Sequence, residues 1–169
     1  FVPGESQGPF LVHRDYHSFK NYLYTVADEG TNSTLQIIDM SGLPQSTELV
    51  YSQQTLLRTT HNIFIDEVTE KLYAFGGALP GTSFSCRIIS LEDPVNPQLL
   101  ASYPNADFSI PYSHDGYVRN DTAYLNCGNN GFYVVDFTDP TAPELLGTMT
   151  SYEQSGYNHS GWLTEDGRY

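Results

Sequence analysis

Short apolar runs broken by glycine, proline, asparagine and aspartate recur along the whole chain. Some alternate apolar and polar positions and others are continuously apolar, the patterns of half-buried and fully buried β-strands. They predict four strands in each of three successive units. In the first, strands fall near Tyr16 to Phe19, Leu23 to Ala27, Leu35 to Asp39 and Glu48 to Ser52. The second gives His61 to Asp66, Leu72 to Gly76, Cys86 to Leu91 and Gln98 to Tyr103. The third gives His114 to Arg119, Ala123 to Asn126, Phe132 to Phe137 and Glu144 to Thr150, and a fourth unit begins at His159 and stops. No window sustains a 3.6-residue period, so helix is not expected.

The units are repeats. His114-Asp115-Gly116-Tyr117-Val118 returns in register as His159-Ser160-Gly161-Trp162-Leu163, with Tyr124 and Tyr169 following at equal distance. A looser copy starts at His61-Asn62-Ile63-Phe64, where two extra turn residues delay Tyr73, and Arg14-Asp15 heads another, followed by Tyr24. Third strands align as Leu35 to Asp39, Cys86 to Ser90 and Phe132 to Asp136. The Asp93-Pro94 and Asp139-Pro140 connections then lead to fourth strands, and their prolines cannot donate to a ladder.

Four antiparallel strands per unit of about 50 residues is the arithmetic of a propeller blade. The expected fold is therefore an all-β β-propeller: residues 1–13 a lead-in, 14–60 blade one, 61–113 blade two, 114–158 blade three and 159–169 the first strand of a fourth. Propellers close with about four to eight blades. The chain is thus expected to be a fragment of a larger closed propeller, or to self-associate through exposed blade faces.

Composition narrows the partners. Twenty acidic against seven basic residues give a formal net charge of −13, which disfavours nucleic acid and anionic membranes. No apolar run is long enough to span a bilayer. Cys86 and Cys127 allow one disulfide, bonding neighbouring repeats, with two buried free thiols as the alternative. Gly4-Glu5-Ser6-Gln7-Gly8 matches G-x-S-x-G but lacks the strand before and the helix after that a nucleophile elbow needs.

These residues carry a family resemblance. The chain resembles the LVIVD-repeat β-propellers, and more closely the choice-of-anchor B family of bacterial surface-exposed proteins. The likeness rests on His61-Asn62-Ile63, the strands ending at Asp39 and Asp136, the Asp-Pro-x-x-Pro connections, Tyr112-Ser113-His114-Asp115 and Gly156 to Asp166. Ser90 departs from the pattern, which has aspartate there. The resemblance implies export to the cell surface, by anchors that vary between members, and leaves the biochemical role open. It also argues against reading the sequons at Asn32, Asn120 and Asn158 as glycosylation sites.

Candidate chemistry centres on His61, His114 and His159. If each begins the innermost strand of its blade, the imidazoles meet at one mouth of the channel, where they could ligate a divalent metal ion. The competing role is structural, each ring bonding a neighbouring strand. Arg14 at the equivalent place in the first repeat favours that role. Asp15, Asn62 and Asp115 follow next, and strand alternation turns them to the other face, so they could orient the histidines only through bending. His13 and His17 lie outside the aligned position and read as surface or satisfied residues. Tyr112 and Tyr157 could line the mouth and stack on a sugar, while Phe64, Tyr117 and Trp162 share one register and read as inter-blade core. No H-E-x-x-H, P-loop or calcium loop occurs. The leading expectation is a non-catalytic binding, adhesion or scaffold module with an extracellular protein or glycan partner. The alternative is a metal-dependent hydrolase or lyase.

Overall fold

A computed structural model describes residues 2–169, and it contains twelve strands and, among those residues, no helix. The first sheet holds β1 (Arg14–Phe19), β2 (Tyr22–Ala27), β3 (Leu35–Asp39) and β4 (Glu48–Gln53). The second holds β5 (Thr59–Asp66), β6 (Lys71–Leu79), β7 (Thr82–Ser90) and β8 (Gln98–Tyr103). The third holds β9 (Asp115–Arg119), β10 (Thr122–Asn126), β11 (Phe132–Asp136) and β12 (Glu144–Met149). Each is an antiparallel meander in chain order. The first three repeat units therefore correspond to sheets, with strand ends within a few residues of those expected, whereas the strand expected from His159 is not formed.

Turn chemistry sets each register. Asn120 and Asp121 both take positive φ (50° and 62°) in the two-residue loop between β9 and β10, the type I′ geometry whose twist matches the flanking strands. Lys20 and Asn21 form the matching two-residue loop between β1 and β2, whereas four residues, Glu67 to Glu70, join β5 to β6. That longer loop accounts for the delayed Tyr73. The second sheet departs from expectation in one respect. Its β6–β7 hairpin runs on through Gly76 and Gly77 to a turn at Pro80-Gly81, because the backbone ladder continues across glycines that propensity alone would treat as a stop.

The sheets pack in chain order, with β5 against β1 on one side and β9 on the other. Strand alternation divides the second sheet between two cores. Ile63, Ile65, Leu72, Ala74 and Ile89 pack with Tyr24, Val26, Leu35 and Ile37 of the first sheet. Tyr73, Phe75, Cys86, Ile88 and Tyr103 pack with Val118, Ala123, Leu125, Val135 and Phe137 around the third. A sheet covered on both faces explains why its central strands read as continuous apolar runs.

Polar clasps fix the sheets to one another. Tyr24 OH donates to the Pro94 carbonyl at 2.8 Å, and Tyr103 OH donates to the Pro140 carbonyl. Buried Asp121 accepts from Tyr73 OH and Lys71 Nζ, each at 2.7 Å, while its own amide donates to Asp66 at 2.9 Å. The strand-ending residues act alike: Asp39 accepts from the Ser41 amide, Asp136 from the Thr138 amide and Ser90 from the Glu92 amide. Serine thus performs the aspartate's turn bond in the second repeat. Each third strand meets its fourth through a bulge at the same place, leaving Val50, Leu100 and Leu146 as the extra residues.

Cys86 and Cys127 are both free and buried. The disulfide that the count allowed is not formed. Instead Cys86 packs in the shared core, and Cys127 lies 3.7 Å from Ser113 Oγ. Beyond β12, residues 157–169 are irregular but engaged. Asn158 exchanges both backbone hydrogen bonds with Gly128, and Thr164 N donates to Tyr169 O. No helix of the described residues is long and apolar enough to cross a membrane.

Candidate functional site

The repeat histidines do come together. His61 and His114 stack with ring centroids 4.1 Å apart, and His159 meets His114 edge-on at 4.3 Å. His13 extends the row, 5.6 Å from His61. His13 is both exposed and bonded to Glu29, as a surface or satisfied residue, and yet it joins the row: in the first repeat the ring comes from the residue before Arg14, which bonds instead to the carbonyls of His13 and Ser6. His17 lies elsewhere, its ring edge-on to Phe64 at 5.1 Å.

Two carboxylates orient this row, and neither is a residue next to a histidine in sequence. Asp28 Oδ2 bonds His61 Nδ1 at 2.7 Å, and Glu29 bonds His13 Nδ1. Both acids directly follow β2. Nothing in the local spacing signals them, because a strand pairing rather than a sequence interval brings them to the rings. His114 has no such partner. It is 8% exposed, and neither ring nitrogen makes a hydrogen bond. Burial, reinforced by the charges of His61 and His159, pushes its pKa down to about 4, so the ring is neutral near pH 7.

The row is flanked by the two tyrosines. Tyr157 meets His114 edge-on at 5.2 Å, Tyr112 lies 6.4 Å from it, and both are about half exposed. Each tyrosine rests on a glycine of its own unit. A Cβ at Gly76 would come within 2.8 Å of Tyr112, and one at Gly128 within 2.7 Å of Tyr157. Both glycines have φ of +55°, so substitution there is opposed by backbone strain as well as by contact.

Asp15, Asn62 and Asp115 do not touch the histidine nitrogens. Asp15 Oδ2 accepts the Ile63 amide of the next sheet at 2.7 Å, and Asp115 accepts from the Gly116 amide at 2.9 Å and from the Gly161 amide. Carboxylates here cap amides of the first strands of the sheets, which are edge strands with no ladder partner on that side. Below them a third tier follows: His17, Phe64, Tyr117 and Trp162, with Tyr117 and Trp162 4.7 Å apart and Phe64 and Trp162 5.7 Å apart. The aromatic register read as inter-blade core does make contacts between successive units but is not core: Trp162 is 74% exposed, and Phe64 and Tyr117 are only partly buried.

Among the described residues no group of three or more His, Cys, Asp or Glu is placed to hold a metal ion. His61, His114 and His159 meet through ring faces and edges rather than through nitrogens converging on a point. Comparison with protein-family models and with curated proteins finds no match to the chain.

Proposed function

We propose that the chain forms part of an exported β-propeller at a cell surface, working as a binding or adhesion module whose contact surface is the histidine–tyrosine end. Support comes from three four-stranded meanders with adjoining first strands, and from the sequence likeness to surface propellers. The observation that carries the binding role is the pair Tyr112 and Tyr157, held half exposed over glycines beside a buried imidazole with no partner. Rigid aromatics next to polar rings suit stacking on a sugar. Glycan-array binding by the labelled chain should fall at least tenfold in the Tyr112→Ala, Tyr157→Ala double variant. Full retention by that variant refutes the placement.

One observation favours a second reading, metal-dependent hydrolysis or elimination. A carboxylate on Nδ1, as at His61 and His13, leaves Nε2 free as a ligand and raises its basicity. Protein purified without chelator would then carry stoichiometric metal that His114→Ala removes, whereas under the binding reading metal content is unchanged by that substitution.

A further inference from the structure

Between the carboxylate tier and the aromatic tier lies a cavity of about 210 Å³, lined by Asp15, Asn62 and Asp115 together with Tyr16, His17, Phe64 and Trp162. Two features make it chemically specific. Its polar wall is formed by Asp15, Asn62 and Asp115 and the His17 imidazole, whose Nδ1 bonds the Ser18 carbonyl. Asp15 and Asp115 each bond backbone amides through one or two lone pairs, and Asn62 Oδ1 is buried with no partner at all. Burial raises both carboxylates above their usual range, and the charge of Asp15 adds to the rise at Asp115. The other wall is aromatic, with Phe64 and Trp162 edge to face. Carboxylates raise the affinity for a cation, and aromatic faces favour one that is large and weakly hydrated over a metal ion.

We propose that this cavity binds a small quaternary ammonium group, with Tyr16, Phe64 and Trp162 against its methyl groups and Asp15 and Asp115 balancing its charge. The site is separate from the Tyr112 and Tyr157 surface and does not depend on it. The same trimethylammonium chemistry occurs in a free choline-like molecule and on a trimethylated lysine side chain.

Trp162 is the single tryptophan, so its fluorescence reports the cavity directly. The full chain at pH 7.5 is titrated with choline, with N-acetyl-trimethyllysine amide, and with 3,3-dimethylbutanol, the neutral isostere of choline. Choline or the lysine derivative should change Trp162 emission saturably, the tighter of the two identifying the source. Dimethylbutanol should bind at least tenfold more weakly. Asp115→Asn and Asp15→Asn keep an oxygen acceptor for the backbone amides and should each weaken binding about tenfold, as should Phe64→Leu. Tyr112→Ala should leave it unchanged. Equal binding of dimethylbutanol, no effect of either Asp→Asn variant, no saturable response to either ammonium probe, or calcium chloride displacing choline with an affinity that Phe64→Leu does not alter would each overturn the proposal.

Discussion

Asp121→Ala is expected to be among the most damaging single changes away from the apolar cores. The side chain is 9% exposed and ties the second sheet to the third by accepting from Lys71 Nζ and Tyr73 OH at 2.7 Å each. Truncation leaves two donors without a partner. The Tyr73 hydroxyl sits on a fully buried ring and loses its partner at a cost of about 1–3 kcal/mol. The Lys71 ammonium, on a side chain 16% exposed, loses its counter-ion, and removing one member of a largely buried pair costs about 3–5 kcal/mol. Lys71 recovers part of that by reaching water, so the sum is set at roughly 3–6 kcal/mol, to which loss of a residue tolerant of φ +62° adds a few tenths. Urea unfolding followed by far-ultraviolet circular dichroism measures it. Tyr73→Phe removes only one donor and should cost about 1–2 kcal/mol. The double variant should be less than additive, since the hydroxyl has nothing left to lose once Asp121 is gone. Asp121→Asn keeps the turn geometry and the Tyr73 bond and should fall between wild type and Asp121→Ala. A loss below about 1 kcal/mol for Asp121→Ala, or strict additivity with Tyr73→Phe, refutes the clasp.

Three further outcomes follow from the geometry. His114, with a pKa near 4 against about 6.5 unfolded, binds fewer protons folded than unfolded across that interval. Its contribution is therefore complete above pH 6.5 and lost as pH falls towards 4, by up to roughly 3 kcal/mol; the raised Asp15 and Asp115 act in the opposite sense, so the effect is read as the difference between wild type and His114→Phe, with nuclear magnetic resonance titration of the ring as the direct check. Gly76→Ala places a Cβ 2.7 Å from the Ser113 carbonyl at φ +55° and should destabilise by about 1–3 kcal/mol in the same urea assay, whereas Gly81→Ala, with open space around it, should show only the backbone cost of about 1 kcal/mol. Neither cysteine should react with Ellman's reagent in the native protein, and both should react in denaturant without prior reduction, because burial raises the Cys86 thiol strongly and the Cys127 thiol to about 11.

The sheets were legible because two independent signals agree in the first three units: strand-like apolar runs, and turn residues at similar intervals. The extra residues before Tyr73 even anticipate the longer loop at Glu67 to Glu70. The meeting of His61, His114 and His159 was legible for the same reason, since equivalent positions of stacked repeats become neighbours. What spacing could not supply is chemistry that crosses strands. Asp28 reaches His61 only because β2 runs back beside β1, and His13 enters the row through a one-residue shift that alignment on Arg14 conceals. Strand alternation already turned Asp15 and Asp115 away from the histidines; what spacing could not show is that they serve the amides of the first strands, which have no ladder partner on that side.

The recurring bulge beside Val50, Leu100 and Leu146 bears on how such a molecule stays soluble. Fourth strands carry apolar side chains into solvent, with Leu99, Leu100, Leu145 and Leu146 each roughly half exposed. A flat strand of that composition would invite another chain to add itself in line and start a fibril. An unpaired residue at the same point in all three strands bends each rim out of register with any straight template, and prolines in the Asp-Pro connections remove donors just ahead of two of them. Growth by edge addition is thereby opposed, so deleting Leu100 to straighten β8 should increase aggregation of the chain relative to wild type.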